Sequence, residues 1–283
     1  MVFTAAIEIA GDVAGRDAHV AKERDHGVRK ILANALAAEN GFVNWGVNAG
    51  VARDIVEVVK EAVVEFVHQH EGIVTALDAL AELRALGVEV IVVDGGSRDA
   101  TVQRARLRAD SVISAPRGRA VQMNTGAEKA AGDVLLFLHA DTRLPAAAEH
   151  VMLNALARSA RAWGRFDVEI AGTHRLLPII AFFMNLRSRV TGIATGDQAI
   201  FMRRDAFVAA GGFPPIALME DIALCKRLKR IGSPLCLRER VVTSGRRWEH
   251  NGVLSTIVLM WGLRLAYFLG ADPGKLARRY GYE

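Results

Sequence analysis

Cysteine is scarce in this chain: Cys225 and Cys236 are the two among 283 residues, too few for a disulfide scaffold and lacking the second pair of a thiolate zinc site. A reducing cytosol is the expected setting. An excess of one charge is also missing, since 36 Lys and Arg against 31 Asp and Glu leave +5. That mild surplus suits a phosphate-bearing small molecule or an anionic membrane surface and is too small to imply nucleic acid. The longest apolar run, Val253 to Leu269, is broken by Ser255, Thr256 and Arg264 and is shorter than the roughly 20 residues of a spanning helix. It is expected to be a buried or interfacial helix. Glu8, Asp12 and Asp17 interrupt any secretory leader, and no repeat is visible. No Gly-x-Gly-x-x-Gly follows a strand-like run, which argues against a dinucleotide-dependent oxidoreductase.

What is present is globular: 51% apolar and 24% charged residues, enough to bury a substantial core. From about Gly87 the chain alternates β-branched or apolar runs with helical spacing. "VEVIVVDGGS", "DSVISAP" and "VLLFLHAD" read as strands, with "RDATVQRARLRA" and "VQMNTGAEKAAGD" as the intervening helices. Such alternation predicts a mainly parallel sheet covered by helices on both faces. Further on, "GRFDVEIAG" reads as an antiparallel strand and Ala199 to Met202 as another strand. "THRLLPIIAFFMNLRSRVTG" reads as an apolar helix with basic ends. "LMEDIALCKRLKRIG" is the best-marked helix, opened by Glu220 and Asp221 and ended by Gly232. Cys225 falls on its apolar stripe and is expected to be inert. Residues 1–61 form an atypical, helix-compatible N-terminal segment, with the α/β domain expected over 62–283. His68 and His70 are expected to be solvated helix residues.

In a parallel sheet, ligands gather at the carboxyl ends of the strands, and Asp94 and Asp141 both stand where a strand hands over to its loop. They either face one cleft or each shape a turn or cap a helix. Moving a sugar from a nucleotide diphosphate needs a carboxylate to hold a divalent cation and basic groups against the leaving diphosphate. It also needs a carboxylate to take the acceptor's proton. Asp141 is the candidate for the metal, Asp221 or Glu220 for the base, Arg246 and Arg247 for the diphosphate, and Asp94 for the nucleoside end. Arg117 and Arg119 are further basic candidates for phosphate.

"VVDGGSRDAT", "FLHADT", "GDQAIFMRRDAF", "GGFPPIALMEDIAL" and "SGRRWE", in this order, resemble the motifs of family 2 glycosyltransferases, specifically a bacterial family 2-like subgroup. The resemblance runs from about Glu71 to the C-terminus. It implies a GT-A fold, a nucleotide-sugar donor, Mg²⁺ or Mn²⁺, and inversion at the anomeric carbon by direct displacement. It also implies that Asp94, with Ser97 in the same motif, holds the nucleoside and that Asp141 is the second acid of the metal motif. Asp221 would be the base with Glu220 its neighbour, and Arg246, Arg247 and Trp248 would close over diphosphate and acceptor. Gly196, Asp197 and Gln198 fall where acceptor contacts are expected. Trp248 either stacks on a sugar or fills core.

Two features depart from the family. His139 replaces the first acid of the metal motif, and imidazole is a poor ligand for Mg²⁺ and acceptable only for Mn²⁺. The metal is therefore expected to lean on Asp141 and the phosphates, with His139 touching the nucleotide or serving structure. The family's opening strand and its Pro-x-x-Asn-Glu turn have no clear counterpart. The first strand is Ala62 to Val67, is recruited from "VFTAAIEIA", or is absent. Its loss would leave a non-catalytic nucleotide-binding or interaction protein as the alternative function. Apolar residues beside arginines in "LLPIIAFFMNLRSR" and "VLSTIVLMWGLRLAYFLG" suit core helices or a bilayer surface with a lipid-linked acceptor, which extends the expected location to the inner face of the membrane.

Overall fold

The structure, a computed structural model, describes the backbone of Phe3–Ile9 and residues 73–282. The described residues belong to one compact unit. Residues 10–72, with the Ala62 to Val67 strand candidate, His68 and His70, lie outside them.

One eight-stranded sheet organises the chain, in the order β3-β2-β1-β4-β7-β6-β8-β5. Its parallel part comprises β1 (Phe3–Ile9), β2 (Glu89–Asp94), β3 (Ser111–Ser114) and β4 (Val134–His139). The first strand is thus the one recruited from the N-terminal stretch, and it fills the slot between β2 and β4. Register pairs Ile9 with Asp94 and Glu8 with His139, so the carboxyl ends of β2 and β4 line up on either side of β1.

The central strands are buried on both faces because both alternating sets of their side chains are apolar. Val90, Val92, Val134, Leu136 and Leu138 enter one core layer, with residues 73–80, α1 (Ala81–Ala85), α2 (Thr101–Arg106) and α4 (Ala148–Ala157) nearby. Ile91, Val93, Leu135 and Phe137 enter the other, against α3 (Arg119–Lys129), α6 (Arg204–Ala209) and α7 (Glu220–Ile231). Each such side chain contributes about 1.5–3 kcal/mol of transfer free energy.

The rest of the sheet is mixed. β7 (Phe201–Arg203) runs antiparallel to β4 and to β6 (Trp163–Ala171). β6 pairs parallel with β8 (Leu235–Ser244), which carries the two-residue β5 (Thr142–Arg143) at its far side. The antiparallel direction expected of β6 therefore holds on its β7 side, while its β8 side is parallel. Asn185 of α5 (Leu177–Thr191) takes the Val168 N–H at 2.8 Å and gives to the Val168 carbonyl at 2.9 Å, which clamps α5 to β6.

After β8 come α8 (Arg246–His250), α9 (Val253–Phe268) and α10 (Pro273–Tyr280). Leu263 of α9 and Leu276 of α10 pack on Leu218, Met219 and Ile222, which seats α9 against the start of α7. Among the described residues, no helix is long and apolar enough to cross a membrane.

Candidate functional site

The site gathers along the carboxyl edge of the parallel strands. Asp94 closes β2, is 3% exposed, and accepts the N–H groups of Gly96 at 3.0 Å and Ser97 at 3.1 Å. It folds its own loop, which is the turn-shaping alternative. Gly96 has φ of 97°, a left-handed value that suits glycine. Behind the loop, buried Gln122 donates to the Val93 carbonyl at 3.0 Å and accepts from Gly118 N at 3.3 Å. A Cβ on Gly95 would lie 2.9 Å from the Gln122 Oε1. Gln122 therefore ties the end of β2 to the start of α3 and fixes where Arg119, the first residue of that helix, points.

Arg119 begins a chain of polar contacts drawn from four elements. Its Nε lies 3.0 Å from Glu220 Oε1, a charge–charge contact rather than an aligned hydrogen bond, and its Nη2 is 3.1 Å from His139 Nε2. Guanidinium nitrogens only donate, so His139 Nε2 is the acceptor and its proton sits on Nδ1, which faces Asp197 Oδ1 at 3.5 Å. Held this way, His139 does not present a lone pair to a metal. Asp197 keeps solvent on one side, with 43% of its side chain exposed, while protein encloses the rest. Burial pushes its carboxyl up, but the hydrogen bond from His139 and the charges of Arg119 and Arg264 outweigh burial and hold it below the ordinary carboxylate range.

Gly196 joins this chain to Asp221. The His139 ring lies so close that a Cβ on Gly196 would sit 2.2 Å from Nε2, and the Gly196 N–H donates to Asp221 Oδ2 at 3.1 Å. Asp221 Oδ1 takes the Ile222 N–H at 2.6 Å. The carboxylate thus stands at the N-terminus of α7, where the helix dipole favours negative charge. Met219, the residue before Glu220, has φ of 70°, an uncommon backbone state for a non-glycine residue and one found at functional sites. Glu220 is 1% exposed and faces Arg119, whereas Asp221 retains 9% exposure.

Asp141 follows β4 and touches solvent. Enclosure by the surrounding protein raises its carboxyl pKa despite that contact, Asp197 adds to the rise, and His139 and Arg246 oppose it. Among the described residues, no cluster of three or more His, Cys, Asp or Glu is arranged to hold a metal. The residues do fit Mg²⁺ or Mn²⁺ in a narrower sense: an exposed carboxylate at Asp141 and a second carboxylate, Asp197, whose charge reaches it, to be completed by phosphate oxygens and water.

The remaining candidates separate. Arg246 is exposed, with its Nε 3.2 Å from Ser244 Oγ, and its charge reaches Asp141. Arg247 lies over the Tyr280 ring at 3.9 Å and donates to its hydroxyl. Burial pushes that phenol up to about 12. Trp248 packs on Ile170, Leu177 and Ala181, so it fills core in this arrangement. Gln198 is fully buried, its amide donating to Ser188 Oγ at 3.0 Å and Asn185 Oδ1 at 3.2 Å. The structure brings Asp197 to the cleft and leaves Gln198 behind it. Arg187 of α5 and Arg264 of α9, both close enough to Asp221 to feel its charge, were not foreseen from sequence.

Comparison with solved structures finds distant likenesses. The chain is similar to *Staphylococcus aureus* TarS 1-349 in complex with UDP, at 18% identity and a TM-score of 0.49, over 62% of this chain and 57% of that one. It is also similar to the mannosyltransferase PcManGT from *Pyrobaculum calidifontis* in complex with GDP-Man and Mn²⁺, at 19% identity and a TM-score of 0.46, over 69% and 60%. Glucosyl-3-phosphoglycerate synthase from *Mycobacterium tuberculosis*, in complex with Mg²⁺ and UDP, gives 14% identity and a TM-score of 0.48, over 86% and 70%. A mycobacterial protein gives 14% identity and 0.48 over 86% of this chain, which spans 65% of that protein's length. No curated protein matches. The family model for glycosyl transferase family 2 matches residues 63–211, just over half of the 283 residues, and with the strand order and edge geometry above the chain belongs to that family and has the GT-A fold.

Proposed function

We propose that the protein transfers a sugar from a nucleotide-diphosphate donor to an acceptor hydroxyl, with inversion at the anomeric carbon. The observation that carries this reading is Asp221, held by the Gly196 N–H at 3.1 Å, with the next residue, Asp197, facing His139 at the end of β4, two residues before Asp141. In a single displacement the acceptor oxygen attacks the anomeric carbon, the bond from that carbon to the diphosphate oxygen breaks, and the departing diphosphate keeps the electron pair. Asp221 takes the acceptor's proton. Asp94 is folded into its own loop by the Gly96 and Ser97 N–H groups, Glu220 is 1% exposed and faces Arg119, and Asp197 is taken by His139, whereas Asp221, anchored by two backbone N–H groups, keeps 9% exposure and further lone pairs for a proton, which favours it as the base. Asp94 and Ser97 border the nucleoside end, and Arg246 steadies the diphosphate by charge, with Arg247 and Trp248 bracing its helix. Mg²⁺ or Mn²⁺ at Asp141, when bound, supplies charge neutralisation on the diphosphate.

Release of UDP or GDP from the corresponding nucleotide sugars tests the reading. Wild-type protein with Mn²⁺ should release one of them, and Asp141→Ala should lose that metal-dependent release by about 10²-fold or more. Tight nucleotide binding without turnover across donors and acceptors would favour the binding-only alternative, which the altered metal motif at His139 makes worth testing.

We also infer peripheral contact with the cytoplasmic face of a membrane. Ile179, Phe182, Phe183, Leu186 and Val190 on α5, and Leu254, Val258, Trp261, Leu265 and Phe268 on α9, are exposed at helical spacing. Neither helix contains an acidic residue, which suits an anionic bilayer. The free cysteines agree with a reducing compartment. Trp261→Asp should weaken flotation with anionic vesicles about 10- to 100-fold, as expected for losing one buried aromatic side chain. Unchanged flotation would remove the membrane from this account.

A further inference from the structure

Two arginines beside Asp221 lack the partners that half-buried guanidinium groups require. Arg187 Nε and Nη2 and Arg264 Nε are sealed from water with no hydrogen-bond acceptor. Among the described residues, neither side chain is in an ion pair. Desolvation lowers the Arg187 pKa to about 10, and the charge of Arg264 adds to the shift. Desolvation also lowers Arg264, against the pull of Asp221 and Asp197. Like charges drawn together out of water are unfavourable unless an anion joins them. Asp221 does not fill that place: among the described residues its hydrogen bonds are to the Gly196 and Ile222 N–H groups, and none reaches either guanidinium.

The geometry points to an anion subsite formed by Arg187 and Arg264 beside Asp221, which holds a phosphate group carried by the acceptor. This rests on the reading of Asp221 as the base, since that is what makes the neighbouring space the acceptor's. The terminal nitrogens outside the sealed set, Nη1 of Arg187 and both Nη atoms of Arg264, are the donors for the phosphate. Guanidinium forks match its tetrahedral oxygens. The donor diphosphate belongs elsewhere along the strand edge, because the pairing of Thr142 with Thr243 sets Asp141 at the end of β8 that leads to Arg246, whereas Leu263, next to Arg264, packs on Met219 and Ile222 on either side of Glu220 and Asp221. The helices that carry the arginines also carry the two exposed apolar stripes. The same phosphate chemistry is therefore available from a lipid headgroup or from a soluble phosphorylated hydroxyl compound.

The test uses the full chain with Arg187→Gln, Arg264→Gln and the double variant, titrated calorimetrically with inorganic phosphate at low salt. Saturable binding by the wild type should weaken about 10- to 100-fold in each single variant, the effect of losing a charge-assisted hydrogen bond, while binding of UDP or GDP with Mn²⁺ is unchanged. Melting temperatures should stay level or rise, because an unpaired buried charge is removed. Arg264→Lys, which keeps the charge but loses the fork, should also weaken phosphate binding, and it provides the reading should a glutamine variant fail to fold.

Phosphatidylcholine vesicles with and without phosphatidic acid separate the sources. Preference for phosphatidic acid that is lost in the double variant identifies a lipid phosphate; a preference unaffected by the variants, with loss confined to free phosphate, identifies a soluble one. Absence of saturable phosphate binding, its persistence in the double variant, or a parallel loss of nucleotide binding would overturn the proposal. If phosphate binds as expected and no nucleotide does, the transfer reading fails and the subsite stands; the reverse pattern removes the subsite alone.

Discussion

Asp221→Asn is expected to lower the rate of sugar transfer about 10²- to 10⁴-fold, the contribution of a positioned general base, with the fold and nucleotide binding preserved. An asparagine oxygen can go on accepting the Gly196 N–H that now reaches Asp221 Oδ2 at 3.1 Å, but the amide cannot take the acceptor's proton. Glu220 cannot take over, because it is 1% exposed and faces Arg119. Steady-state kinetics with a saturating donor, alongside a melting curve, separates the two effects. A variant that melts normally and turns over near the wild-type rate would remove Asp221 from the base role.

Gly196→Ala should be damaging for a different reason. The added Cβ would meet His139 Nε2 at 2.2 Å, His139 Cε1 at 2.4 Å and Arg119 Nη2 at 3.0 Å. His139 cannot swing aside without giving up Arg119 on one ring nitrogen and Asp197 on the other. Overpacking of this kind costs about 1–3 kcal/mol. Because Gly196 also orients Asp221, displacement of the base by about 1 Å should reduce turnover about 10²-fold. Adding His139→Ala makes room for the new methyl group, so the double variant should recover stability without recovering turnover. Equal stability and activity of Gly196→Ala and wild type would mean that Gly196 is not the contact joining the two halves of the site.

In the parallel half of the sheet β2 and β4 were legible because they carry two apolar faces, whereas β1 stood as one of three alternatives until its pairing with both was seen. Val90 to Val93 and Leu135 to Leu138 supply both core layers, and short apolar runs bounded by turn residues mark strands buried on both faces. β8 was not legible. Its Arg238, Glu239 and Arg240 are exposed, and only Val241 and Thr243 along it are buried, so its pattern resembles a loop until β6 pairs with it. β7 begins at Phe201 rather than Ala199, since Ala199 takes φ of 46° to end the 3₁₀ turn at Gly196–Gln198.

The candidate site divides in the same way. Asp94, Asp141 and Asp221 could be picked out because a carboxylate at a strand or helix end is visible in one dimension. The packing of His139 on Gly196 is a contact between distant positions, and the orphaned nitrogens of Arg187 and Arg264 depend on packing around them, so no local pattern marks either. Trp248 and Gln198 sat on family motifs, yet one packs in the core and the other is spent on Ser188 and Asn185. A motif names a position in the chain; only packing decides whether its side chain faces the cleft.

The central claim is that the strand edge at Asp141 is a nucleotide-diphosphate site that works through a divalent cation. Calorimetric titration of UDP and GDP into wild type and Asp141→Ala, each with and without Mn²⁺, tests it most directly. The account predicts binding of one nucleotide that requires Mn²⁺ and is lost in Asp141→Ala. Binding that is indifferent to both the metal and Asp141 would contradict it.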